Sequence, residues 1–148
     1  MIAQTTPAKT PSPIARLMLI DDSEIDQIIY QRIAQKSGLV DELLQFTDAR
    51  KALAYLLDPA SPKPDLILLD INMPGMDGFE FLEAARDRVG VSLCPVIVML
   101  TTSLNPNDEG RARSFEMVRD FLNKPLTQTH LRALGDMVSS FNSGPDAG

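Results

Sequence analysis

Five residues stand where their side chains could work together on a phosphorus centre: Asp21, Asp22, Asp70, Thr101 and Lys124. Each lies at or just past the end of a strand-like run. Asp21-Asp22 follows Leu17-Met18-Leu19-Ile20, Asp70 follows Leu66-Ile67-Leu68-Leu69, Thr101 follows Val96–Leu100, and Lys124 comes shortly after Val118–Leu122 and before Pro125. Two or three carboxylates within ~4 Å repel by several kcal/mol even at an effective dielectric of about 20. Protons or a cation must relieve that. An all-oxygen donor set with no nearby His or Cys favours a hard ion, and Mg2+ is the intracellular choice. A carboxylate is also a competent nucleophile toward phosphorus, giving an aspartyl-phosphate. One carboxylate can attack while its neighbours hold the metal. A hydroxyl at Thr101 and an ammonium at Lys124 can each bond an added phosphoryl oxygen.

The elements that must position these groups are legible as alternating strands and helices. Four aliphatic residues between Pro64 and the turn-rich Asn72-Met73-Pro74-Gly75 read as a strand buried on both faces. Strands are expected at Leu17–Ile20, Leu43–Phe46, Leu66–Asp70, Val96–Leu100 and Val118–Leu122. Between the first two, Ser23 is an N-cap, with Asp26 three residues on in a capping-box-like arrangement. Ile25, Ile28, Ile29 and Ile33 recur as one apolar stripe expected to face inward. Gly38 is placed for a left-handed cap. Helices are then expected at Ala49–Leu57, at Phe79–Val89 with Leu82, Ala85 and Val89 inward, and from Asn105 as N-cap with Pro106 at the first helical position. Leu131, Leu134, Val138 and Phe141 line one face of a last helix.

Such an alternation means an α/β fold, a parallel sheet covered on both sides in three αβα layers. Right-handed crossovers favour the strand order 2-1-3-4-5 for five units. That order makes the first and third strands neighbours, so Asp21, Asp22 and Asp70 converge on one crevice. The Lys124-Pro125 bond admits either isomer.

Composition narrows the function classes. At 148 residues and 44% hydrophobic content the chain supports one domain with a real core. A net charge of −6 without a basic stripe argues against nucleic acid as a partner. No apolar stretch approaches the ~20 residues that cross a bilayer, and residues 1–13 lack the apolar segment of a secretory signal, so a cytoplasmic protein is expected. Cys94 is the only cysteine and reads as a small buried hydrophobe. Residues 1–15 and 142–148 read as flexible tails around one domain at 16–141, with no attached effector domain expected.

With these residues in place, the chain resembles the receiver domain of two-component response regulators over roughly residues 16–141. The matching features are Asp21-Asp22, Asp70 within LILLDINMPGMDG, Thr101 after VIVML, and Lys124 in FLNKP. Their joint order and spacing carry the resemblance, because each alone has a plainer reading. The resemblance implies a flavodoxin-like fold. It implies that Asp70 accepts a phosphoryl group from a sensor histidine kinase or a phosphotransfer protein. It also implies Mg2+ held by Asp22, Asp70 and the Asn72 backbone carbonyl, with Asp21 acting largely through water. Phe121 matches the switch aromatic, working with Thr101. Asn72 and Ser103, two residues beyond Asp70 and Thr101, match the positions that flank the phosphoryl group and affect its lifetime. Both are small and polar, so little shielding is expected.

The reading is therefore a stand-alone phosphoacceptor switch that turns over no external substrate and signals to a downstream protein. The fourth helix has few core anchors, Ala112 and Phe115, and contains Gly110, which weakens a helix by ~1 kcal/mol. Its surface, with the fifth strand and fifth helix, is expected to carry the output and is a candidate homodimer face. A hydrolase or phosphotransferase with an aspartyl nucleophile is a competing reading, but Asp70-Ile71-Asn72 lacks the second carboxylate of a D-x-D motif. An unphosphorylated protein-binding scaffold is a third. Asp77 reads as a helix cap, and His130, the only histidine, as a surface residue.

Overall fold

Alternate residues of a strand turn to opposite faces of a parallel sheet, which is why the central runs at 66–69 and 96–100 are apolar throughout, while the edge strands also carry charged residues. The computed structural model describes residues 13–89 and 96–142, with side chains through 140. Cys94, Phe141 and most of both expected tails lie outside the described side chains. The strands are β1 (Ile14–Ile20), β2 (Val40–Phe46), β3 (Leu66–Leu69), β4 (Val96–Thr101) and β5 (Val118–Asn123). The helices are α1 (Glu24–Ser37), α2 (Ala49–Leu57), α3 (Gly78–Ala84), α4 (Pro106–Arg113) and α5 (Gln128–Asn142). All strand pairs are parallel, in the order β2-β1-β3-β4-β5. This is the expected 2-1-3-4-5 arrangement.

The sheet divides the core in two. Met18, Ile20, Ile67, Leu69, Ile97 and Met99 pack with Leu53, Leu56, Phe81, Leu82 and Phe115 on one face. Leu17, Leu19, Leu66, Leu68, Val98 and Leu100 pack with Tyr30, Ala34, Leu131, Leu134 and Val138 on the other. Register aligns the strand ends: Ile20 pairs with Leu69, Leu69 with Met99, and Thr101 with Asn123. Asp21, Asp70 and Lys124 directly follow Ile20, Leu69 and Asn123, and Thr101 is itself the last residue of β4.

Several local expectations need correction. β1 begins at Ile14 rather than Leu17, because Ile14 is fully buried and its N–H donates to the Leu39 carbonyl at 3.0 Å. β2 likewise begins at Val40, paired with Ile14. The third helix holds α-geometry only to Ala84, and Ala85–Val89 form a π-helical turn. Leu82 and Ala85 are buried as expected, and Val89 is partly so.

The largest correction concerns α1. Ile25, Ile28 and Ile29 are 72%, 52% and 43% exposed, while Gln27, Tyr30 and Ala34 are buried and Ile33 is partly buried. The helix turns its polar-tipped residues inward because strand-end groups satisfy them. Gln27 Nε2 lies 3.0 Å from the carbonyl oxygens of both Asp21 and Phe46, and 3.2 Å from that of Leu19. A buried amide with such partners is favoured over one left unpaired. Gly38 ends α1 at φ 68°, as expected of a left-handed cap.

Candidate functional site

The C-terminal ends of β1 and β3 deliver the acidic residues. The Asp21 N–H donates to the Phe46 carbonyl and the Asp70 N–H to the Ile20 carbonyl, both at 3.0 Å, so the strand-end residues stay in the ladder. One carboxylate oxygen each from Asp21, Asp22 and Asp70 lies within 4.8 Å of the other two. Asp21 and Asp70 are buried, and Asp22 is exposed. An all-oxygen set of this size suits a hard divalent cation. The loop after Asp70 is held by a close approach. A Cβ at Gly78 would overlap the Asp70 carbonyl oxygen, and the Gly78 N–H donates to the Ile71 carbonyl at 2.8 Å. Only glycine lets the start of α3 pass so near the strand end. Asp77 caps α3 through a full capping box with Glu80, as expected.

β4 and β5 supply the other two groups. Thr101 is fully buried at the end of β4, while Thr102 beside it is exposed. The Lys124 N–H donates to the Thr101 carbonyl at 2.9 Å, which fixes Lys124 just past β5, and the Lys124-Pro125 peptide is cis. The Lys124 Nζ lies 2.8 Å from Asp21 Oδ2, 2.9 Å from Asp26 Oδ2 and 3.3 Å from Asp70 Oδ2. The fold thus gathers Asp21, Asp22, Asp70, Thr101 and Lys124 at one end of the sheet.

The electrostatics follow from this crowding. Burial pushes the Asp70 carboxyl above the ordinary aspartate value, and the charge of Asp21 adds to the shift. Lys124, the Ile71 amide and the Thr101 hydroxyl oppose it without cancelling it. Burial pulls the Lys124 ammonium down, but hydrogen bonds to Asp21 and Asp26 and the charges of Asp70 and Asp21 outweigh it. They leave the group above the ordinary lysine value. The ammonium is therefore charged throughout the physiological range.

The flanking residues take distinct places. Asn72 is exposed beyond β3. The Ser103 N–H donates to Thr101 Oγ1 at 3.2 Å, and its hydroxyl donates to Asp108 Oδ2 at 2.7 Å, which ties the β4–α4 loop to the first turn of α4. Phe121 is half-buried against the core face shared by α2 and α3. His130 is more than a surface residue, since its Nδ1 accepts from the Thr127 N–H at 3.2 Å while Thr127 Oγ1 accepts from the His130 N–H. It helps cap α5.

Two site neighbours escape a reading of local pattern. Tyr30 donates its hydroxyl to Asp21 Oδ2 at 2.8 Å, and burial with the adjacent Asp21 charge holds that phenol above its ordinary value. Asp26 makes only half of the expected capping box. Its N–H donates to Ser23 Oγ at 3.2 Å, but the Ser23 N–H turns to Asp21 Oδ1 at 2.9 Å. The Asp26 carboxylate goes to Lys124 instead. The one signal in sequence was that Asp26 and Tyr30 stand four residues apart, on one face of the helix that follows the acidic pair.

This arrangement has relatives. Residues 17–135 match the response regulator receiver domain family. The chain belongs to that family. Response regulator Rcp1 of a Synechocystis strain is 34% identical over 137 residues, covering 89% of each chain. The Mn2+-bound structure of Rcp1 is similar at a TM-score of 0.64 and 33% identity, covering 87% of this chain and 92% of that one. A two-component response regulator from Cytophaga hutchinsonii is similar at a TM-score of 0.76 and 29% identity, over 84% and 96% of the two chains. The phosphorylated cyanobacterial phytochrome response regulator RcpA reaches 0.66 at 27% identity, over 87% and 91%. The protein is thus a receiver domain of two-component phosphorelay signalling, and its acidic pocket fits phosphorylation with a divalent metal. Receiver domains are phosphoacceptor switches that interact with histidine kinases and downstream proteins. Among the described residues, no helix of this receiver domain is long and apolar enough to cross a membrane.

Proposed function

We propose that the protein is a response regulator with residues 16–141 as its receiver unit, and that Asp70 is its phosphoacceptor. The observation that carries this reading is the meeting of Asp21, Asp22 and Asp70 oxygens within 4.8 Å, with the Lys124 ammonium 3.3 Å from Asp70. An Asp70 oxygen attacks the phosphorus of a phosphohistidine on a sensor kinase or phosphotransfer protein. The P–O bond forms, the P–N bond breaks, and its electron pair returns to the donor imidazole. Asp21, Asp22, Asp70 and the Asn72 backbone carbonyl would hold Mg2+. Bound there, such an ion would offset charge on the phosphoryl oxygens without any proton transfer.

Lys124 and Thr101 then take two of the new oxygens. A point-charge ammonium suits one. The Thr101 hydroxyl, drawn to the other, reports the phosphoryl group to the β4–α4 loop through the Ser103 amide it now accepts from. Asn72 and Ser103 set how readily water reaches the phosphoryl group, and Phe121 joins Thr101 as the switch.

The output lies on α4, β5 and α5. α4 is short, and of its residues only Ala112 is buried. Apart from the bond from Ser103 to Asp108 in its first turn, its side-chain ties lie at the surface. Arg113 pairs with Glu109 at 2.9 Å and Asp120 at 3.5 Å, and the Arg111 guanidinium stacks 4.2 Å above the Phe79 ring. Exposed ion pairs of this kind contribute about 0.2–1 kcal/mol each, so they hold the helix only weakly. The switched surface binds or releases a partner protein, or a second copy of the chain, in the cytoplasm. The protein turns over no external substrate.

Incubation with acetyl phosphate and Mg2+ tests the reading. Stoichiometric, alkali-labile label lost in Asp70→Asn supports it. Multiple turnover of acetyl phosphate would favour a hydrolase, and absence of label a phosphorylation-independent scaffold.

A further inference from the structure

Lys124 is surrounded by more carboxylates than its expected role requires. An ammonium has three donors. Here three carboxylates stand within reach of it, from Asp21, Asp26 and Asp70. Asp21 and Asp70 belong to the acidic triad, but Asp26 does not. Asp26 reaches in from the first turn of α1, and its 2.9 Å contact with Nζ is shorter than the 3.3 Å contact of Asp70. Both partners are shielded, Lys124 at 12% side-chain exposure and Asp26 at 32%.

The contact is built by the local fold. At the third helical position Asp26 would ordinarily return a hydrogen bond to the N-cap N–H. That N–H is already bound to Asp21 Oδ1, so the Asp26 carboxylate is released from capping and left facing Lys124. Tyr30, one turn further along α1, holds the Asp21 carboxylate from the same side. α1 therefore grips both Lys124 and the acid beside it.

We propose that Asp26 is a positioning residue that parks the Lys124 ammonium against α1 and competes with the phosphoryl group for it. The inference rests on the phosphoacceptor reading above. A phosphoryl oxygen on Asp70 gains the ammonium only as Asp26 gives it up, so Asp26 lowers affinity for the phosphoryl group and shortens its lifetime. It acts through Lys124 and touches no reacting atom.

Beryllofluoride binding at saturating Mg2+, followed by fluorine NMR, tests this with a double-mutant cycle. Asp26→Asn should tighten binding by about three- to tenfold, as expected when a charge-assisted competitor is removed. In a Lys124→Gln background the same change should move affinity by less than about twofold, because the contact it acts through is already gone. Asp26→Glu, which keeps the charge, should restore values near wild type, and Mg2+ affinity should stay unchanged in Asp26→Asn. No gain in Asp26→Asn overturns the proposal. An equal gain in both backgrounds also overturns it, since that would be a through-space charge effect independent of Lys124. Failure of the wild-type chain to bind beryllofluoride overturns the phosphoacceptor reading and this proposal together. Binding by the wild type without a gain in the variant overturns this proposal alone.

Discussion

The Tyr30 hydroxyl donates to Asp21 Oδ2 across the gap between α1 and the end of β1, at 2.8 Å and out of contact with solvent. This bond couples the facing of a helix to the orientation of a carboxylate in the acidic cluster. Removing it in Tyr30→Phe keeps the ring in the core but leaves a buried carboxylate oxygen one donor short. A hydrogen bond to a charged group contributes about 1.5–3 kcal/mol. Because Lys124 still reaches the same oxygen, the loss should fall near the low end. Urea denaturation should show it. Mg2+ affinity should also fall, by roughly tenfold, as groups that orient a metal ligand commonly require.

The facing of α1 yields a second test. If Ile28 packed inward, its replacement by Gln would be strongly destabilising. In the structure it is 52% exposed, so Ile28→Gln should change stability by no more than about 0.5 kcal/mol. Leu134→Ala on α5, at a site 2% exposed, should lose about 2–5 kcal/mol. A large loss in Ile28→Gln would restore the inward stripe and refute the observed facing.

These two residues also mark what local pattern can and cannot reveal. Leu66–Leu69 and Val96–Leu100 are continuous apolar runs, so buried parallel strands followed from length and punctuation, and their order from the handedness of the crossovers. The triad was readable because parallel sheets place strand-end residues along one edge. α1 was misread because apolarity is a poor guide where Gln27 and Tyr30 are buried with partners. Those partners are strand-end carbonyls and a carboxylate, none of them visible within a helical period. Asp26 was misread for a similar reason. Its true partner, Lys124, lies 98 residues away, and a capping box was the nearest local explanation. The π-helical turn after Ala84 has no signal in the sequence that we can name.

α4 supplies a prediction about switching. A Cβ added at Gly110 would meet nothing within 4 Å, and the backbone there is helical. Gly110→Ala should therefore stabilise the helix by about 1 kcal/mol without disturbing its neighbours. If low local stability lets α4 respond to the site, the variant should show slower amide exchange across residues 106–113 in the resting protein. It should also show a smaller change on adding beryllofluoride and Mg2+. Equal responses in variant and wild type would remove α4 stability from the account of the output.

The raised pKa of Asp70 gives stability a sign with pH. In the unfolded chain an aspartate titrates near about 3.9, and in the folded protein burial and Asp21 move Asp70 above that. Between the two values the folded state holds a proton that the unfolded state has released. Stability therefore falls as pH rises through that window, and the penalty of a buried charge is complete above the folded value. Asp70→Asn removes the charge while Lys124 keeps Asp21 and Asp26 as partners. At pH 7 with EDTA the variant should melt higher than wild type, by a few degrees if about 1 kcal/mol is recovered. The advantage should shrink as pH is lowered and vanish well below about 3.9, where both states carry the proton. Mg2+ should narrow the gap at pH 7, because a cation that binds only the folded wild type stabilises it in proportion to the logarithm of its concentration over Kd. A variant that melts lower than wild type in EDTA would mean that ionised Asp70 is a net structural asset, held by Lys124 more strongly than burial penalises it.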